Sequence, residues 1–198
     1  MRIGIMGGTF NPPHTGHINA ARAATSELSL DRLIFIPSGT PPHKQMAENS
    51  ATPEQRLHMT RLAAEEISAE VSDMEIAREG KSYTVDTLRK LRSENPEAEL
   101  WFIMGTDMFL TIEKWREPEE IMRLANIAVE PRCDADRDTL VRHSEYLGEK
   151  YGAKTLVMKA TALEISSTEI RDAIKKENCS DYLPWSVYEY IKQNNLYV

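Results

Sequence analysis

Arg2-Ile3-Gly4-Ile5-Met6-Gly7-Gly8-Thr9-Phe10-Asn11-Pro12-Pro13-His14-Thr15-Gly16-His17 is the stretch on which the reading of the chain turns. Ile3, Ile5 and Met6 form an apolar run long enough for a buried strand and too short for a helix. Gly7-Gly8 lets the backbone turn where side chains would clash. Asn11 precedes a proline and so avoids helical backbone, which keeps the segment extended up to the histidines. A helix begins at Gly16-His17, with Ile18, Ala21, Thr25 and Leu28 on one face. Free backbone N–H groups and the positive end of a helix dipole converge there, a combination suited to phosphate. His14 and His17, with a glycine between them, can face one ligand as hydrogen-bond donors.

Outward from this segment, short apolar runs alternate with helical patterns. Leu33–Ile36 reads as a second strand, followed by an irregular, proline-rich loop over Pro37–Lys44. Thr52-Pro53-Glu54-Gln55 is a capping box that opens a helix to about Ser68. Val71 lies in a short strand, and Thr84 caps a helix that ends near Asn95-Pro96. Strands follow at Leu100–Met104, Ile127–Val129 and Thr155–Met158. Helices are expected from Pro118 to Ala125, around Leu140, Val141 and Leu147, from Ser166 to Lys176, and from Pro184 through Ile191. Strand–helix alternation implies right-handed crossovers and a mainly parallel sheet, so the fold class is α/β, doubly wound, with helices on both faces. In such a sheet the ligand sits beyond the carboxyl ends of the strands, where the loops after Met6, Ile36 and Met104 would gather. Trp101, Phe102, Tyr182, Trp185 and Tyr188 read as core, and His58 and His143 as solvent-facing.

With 198 residues the chain is expected to form one domain over residues 1–198. An apolar fraction of 41% without any long apolar span excludes a membrane helix. Cys133 and Cys179 stand in unlike surroundings, so no disulfide framework is expected and a cytoplasmic location fits. A net charge of −7 argues against general nucleic-acid binding, yet a few cations can still converge on an anionic small molecule. Composition leaves homo-oligomer formation open. Cys133, Asp134 and Asp136 lack the spacing of a zinc site, and no protein-held metal is expected.

A second phosphate-type segment stands far downstream: Ile165-Ser166-Ser167-Thr168-Glu169-Ile170-Arg171. Capping alone explains Ser166 and Glu169; an arginine fork beside a helix start also suits oxyanions. Together the two segments resemble the nucleotidyltransferase superfamily with the His-x-Gly-His signature, and within it the bacterial nicotinate-nucleotide adenylyltransferases. Pro41-Pro42-His43-Lys44, Ser82-Tyr83-Thr84-Val85-Asp86-Thr87-Leu88, and Gly105-Thr106-Asp107 with Trp115 add to the likeness, in family order over nearly the whole chain. The related pantetheine-phosphate adenylyltransferases share the phosphate motifs but lack these middle segments. The chain departs from the family at Asn11, where aspartate is usual, and at Pro131-Arg132-Cys133, where Arg-Pro-Gly is common.

The resemblance implies a Rossmann-like fold and adenylyl transfer from ATP to nicotinate mononucleotide, with Mg2+ carried on the ATP. It implies His14, His17, Lys44 and Arg171 as catalytic groups. Gly7, Gly8, Thr9, Phe10, Gly105, Asp107, Ile165, Ser166 and Ser167 would bind ATP. Thr84, Trp115 and Lys44 would bind nicotinate mononucleotide. Asp107 suits either a turn cap or ribose hydroxyls, and Trp115 either core packing or stacking on a pyridine ring. Two other functions stay open at this point: adenylyl transfer to pantetheine phosphate or nicotinamide mononucleotide, and nucleotide sensing without catalysis.

Overall fold

The apolar runs become strands of one sheet. The computed structural model describes residues 1–42, 49–163, 165–176 and 180–197. Within them β1 (Arg2–Gly8), β2 (Arg32–Pro37), β3 (Glu70–Val71), β4 (Glu99–Gly105), β5 (Asn126–Glu130) and β6 (Thr155–Val157) pair in the order β3-β2-β1-β4-β5-β6. Every pairing is parallel. Between them run α1 (Thr15–Leu28), α2 (Pro53–Glu65), α3 (Thr84–Glu94), the short α4 (Thr106–Phe109), α5 (Pro118–Leu124), α6 (Arg137–Tyr151), α7 (Ser167–Lys175) and α8 (Trp185–Gln193).

Strand side chains alternate between two cores. Leu33, Phe35, Ile103 and Ala128 pack with residues of α1, α2, α7 and α8. Ile3, Ile34, Phe102 and Val129 pack on the other face with α3, α5 and α6. A strand buried on both faces needs an apolar residue at every position, which is why these strands read as continuous runs. The order reverses between β1 and β4. The segment after Gly8 and the segment after Gly105 therefore part at that seam and leave a crevice.

Several local readings change. α2 stops at Glu65, short of Ser68. The cap of α3 is Tyr83; Thr84 is the first helical residue and makes no capping bond. Tyr182 and Trp185 are exposed rather than core, because Leu183, Val187 and Ile191 supply the buried stripe of the last helix. Trp185 instead lies against Tyr188, with ring centroids 5.6 Å apart. Val141 is exposed beside the buried Leu140 and Leu147. His143 is half-buried between Phe109 and Tyr146 rather than solvent-facing. Among the described residues no helix is long and apolar enough to cross a membrane.

Candidate functional site

The turn after β1 is shaped by Phe10. Its backbone takes a positive φ of 49° and its ring folds back into the core, against Phe35 at 5.5 Å and His17 at 5.0 Å. Gly8 is bare because of that ring: a Cβ there would lie 2.9 Å from it. Phe10 thus supports the turn from below, while Gly7, Gly8 and Thr9 face the crevice.

His14 caps α1, which starts at Thr15, one residue ahead of Gly16-His17. The His14 backbone N–H donates to Nδ1 of His17 at 3.2 Å. An accepting Nδ1 places the proton of a neutral imidazole on Nε2, which makes that atom a donor. The two rings lie 3.7 Å apart between centroids. His14 is buried, its Nδ1 without a partner among the described residues, and burial pushes its pKa down to about 4. It is therefore neutral at pH 7. Gly16 permits this packing, since a Cβ there would sit 2.9 Å from Nδ1 of His14.

α7 starts against the same loop. Ser166 caps it in a reciprocal box with Glu169, whose carboxylate accepts from the Ser166 N–H at 2.9 Å. That N–H is therefore committed, which leaves the next ones of the helix start for a ligand. Ser167 Oγ donates to the Pro12 carbonyl at 3.2 Å. Arg171 donates to the Asn11 carbonyl at 2.9 Å and to Thr168 Oγ1 at 3.0 Å. Asn11 is itself a buried hub: its Oδ1 accepts from Tyr197 and from the Ala51 N–H, and its Nδ2 donates to Ser50.

A single cleft of about 620 Å³ joins the expected residues from both ends of the chain. Gly7, Gly8, Thr9, His14 and His17 line it. Thr84, Trp115, Gly105 and Ile165 line it as well. Ser166, Ser167 and Arg171 flank the cleft rather than line it. Asp107 is turned away onto Arg132, and both side chains are exposed. Lys44 and His43 lie outside the described residues.

The Thr84 region contains groups the sequence reading left out. Glu75 is buried beneath it, accepts from Thr87 Oγ1 at 2.7 Å, and has its carboxyl raised by burial. The Arg116 guanidinium lies 4.7 Å over the Tyr83 ring, and Trp115 meets Phe102 edge to face at 6.2 Å. No local sequence pattern marks Glu75. Arg56 was also missed. It is fully buried on α2 and donates to the Thr9 carbonyl at 2.7 Å and the Gly39 carbonyl at 3.0 Å. A signal existed: Arg56, Met59, Thr60 and Ala63 share one helical stripe, so a charge stood on an inward face.

Comparison with known proteins follows the same outline. A family model described as Cytidylyltransferase-like matches residues 5–173. The chain is 38% identical over 198 residues to a Clostridium botulinum protein named "Probable nicotinate-nucleotide adenylyltransferase", covering 99% of this chain and 98% of that one. A Lachnoclostridium phytofermentans protein of the same name is 39% identical, with 100% and 99% covered. In fold the chain resembles Plasmodium falciparum nicotinic acid mononucleotide adenylyltransferase complexed with NaAD. The TM-score is 0.79 at 19% identity, over 99% of this chain and 97% of that one. The complex of that protein with APC gives 0.77.

Proposed function

The chain belongs to the cytidylyltransferase-like family and, within it, to the nicotinate-nucleotide adenylyltransferases, and we propose that it transfers the adenylyl group of ATP to nicotinate mononucleotide. An oxygen of the acceptor's 5'-phosphate bonds to the α-phosphorus of ATP. The bond from that phosphorus to the α–β bridging oxygen breaks, and pyrophosphate leaves. The other product is the deamido dinucleotide. The attacking phosphate is already ionised, so the protein's task is alignment and stabilisation of charge.

One observation carries the reading: Arg171 and Ser167 are tied to the backbone of Asn11 and Pro12, which places α7 against the loop bearing both histidines. His17 would donate from Nε2 toward the α-phosphate. His14, held neutral, would add a second donor without the cost of a buried charge. The α7 start and Arg171 would hold the departing phosphates, and Lys44 would add a cation from its loop. Thr84, at the positive end of α3, and Trp115 suit the nicotinate carboxylate and ring. Among the described residues no three or more His, Cys, Asp or Glu side chains converge on one point. Magnesium, carried in with ATP, would supply neutralisation of the phosphate charge. The whole chain, residues 1–198, would act as one catalytic unit.

The test is pyrophosphate release from ATP and magnesium with three acceptors in parallel: nicotinate mononucleotide, nicotinamide mononucleotide and pantetheine phosphate. Fastest turnover is expected with the first. Equal or faster use of another replaces the proposed acceptor, and no release with any of them marks a nucleotide-binding protein without this activity.

A further inference from the structure

Glu130 ends β5, paired in register with Gly105 of β4. Side chains of β5 alternate: Ile127 and Val129 enter the core shared with α3, α5 and α6, and Ala128 the core shared with α1. Two residues beyond Ala128, Glu130 projects to the α1 face and borders the cleft. Small or apolar residues line the same cleft, among them Gly16 and Ala20 of α1, Gly105, Ala162 and Ile165. A Cβ at Gly105 would meet nothing within 4 Å, so this wall stands open. The result is a cleft lined in part by small and apolar residues, with a carboxyl at the end of β5.

That carboxyl receives no hydrogen bond from any described residue. Arg132, two residues on, is engaged by Asp107 on the outside. Glu27, whose carboxylate accepts the Lys159 and Ala160 N–H groups at 2.8 and 3.0 Å, sets a like charge facing Glu130. Burial and Glu27 together raise the Glu130 carboxyl to about 7. A carboxyl accepts from the exocyclic amino group of adenine, and in its protonated form also donates to the adjacent ring nitrogen. A half-buried carboxyl without a partner among the described residues favours a base that supplies the missing donor.

We propose that Glu130 is a specificity-determining residue that reads the amino-bearing edge of the adenine of ATP. The proposal rests on the adenylyl-transfer reading above. The experiment compares ATP with purine riboside triphosphate, which lacks only the 6-amino group, in the wild type, Glu130→Ala and Glu130→Gln. Both equilibrium binding and KM are measured. The wild type is expected to prefer ATP by about 10-fold, the strength of one well-placed hydrogen bond. Glu130→Ala is expected to lose that preference while the KM for the acceptor stays unchanged. Glu130→Gln, which keeps an accepting oxygen, is expected to retain it. Equal preference in the wild type and Glu130→Ala overturns the proposal, as does a change confined to the acceptor KM. Absence of pyrophosphate release by the wild type would remove the adenylyl-transfer reading instead, and the binding comparison would still decide the role of Glu130.

Discussion

Nδ1 of His17 accepts from the His14 backbone N–H, which makes Nε2 the donor of a neutral imidazole. In the proposed reaction that donor is worth most where charge develops in the transition state, so His17→Ala is expected to lower kcat by about 100-fold or more. Steady-state pyrophosphate release measures this, and an unchanged circular dichroism spectrum shows that the fold survives. His14 carries a stability consequence as well. Its folded pKa of about 4 lies below the ordinary value of 6.5, so below pH 6.5 the unfolded chain takes up a proton that the folded chain refuses. Stability therefore falls as pH drops from 6.5 to 4, by about 3 kcal/mol from this group. His14→Gln is expected to flatten that part of the profile, as read by urea unfolding at pH 7 and pH 4.5.

At the scale of elements, α1 sets the packing of its histidine pair against helix propensity. Alanine is the better helix former at Gly16, yet its Cβ would press on the His14 ring at 2.9 Å. The ring is the part free to move. Gly16→Ala is expected to leave the thermal midpoint nearly unchanged and to lower kcat/KM by about 10-fold or more, since small displacements of reacting groups are costly. α2 acts as a brace: Arg56 ties the loop after β1 to the loop after β2 through the Thr9 and Gly39 carbonyls. Arg56→Met keeps much of the volume and strands both carbonyls, with an expected loss of about 3 kcal/mol in urea unfolding.

Across the whole molecule, the cleft depends on a joint between residues far apart in sequence. Arg171 uses two branches of its fork, one on Asn11 and one on Thr168, a spread that a lysine, with all its donors on one nitrogen, does not reproduce. Arg171→Lys is expected to raise the KM for ATP by about 10-fold and to speed amide exchange in α7, with the sheet unaffected. Sequence by itself determined the parallel sheet, because strands buried on both faces must be apolar throughout, as Ile34–Ile36 and Leu100–Met104 are. It also determined the phosphate-type turns, because glycines, prolines and capping boxes act within a few residues. Only the tertiary structure decided which residues of those segments face the cleft. Phe10 sits inside a glycine-rich turn yet points into the core, and Asp107 is drawn outward by Arg132. Glu75, Arg56 and Glu130 became part of the site through partners or neighbours brought from other elements, and burial, which gives a charge its chemical meaning, is a property of the assembled fold rather than of any local stretch.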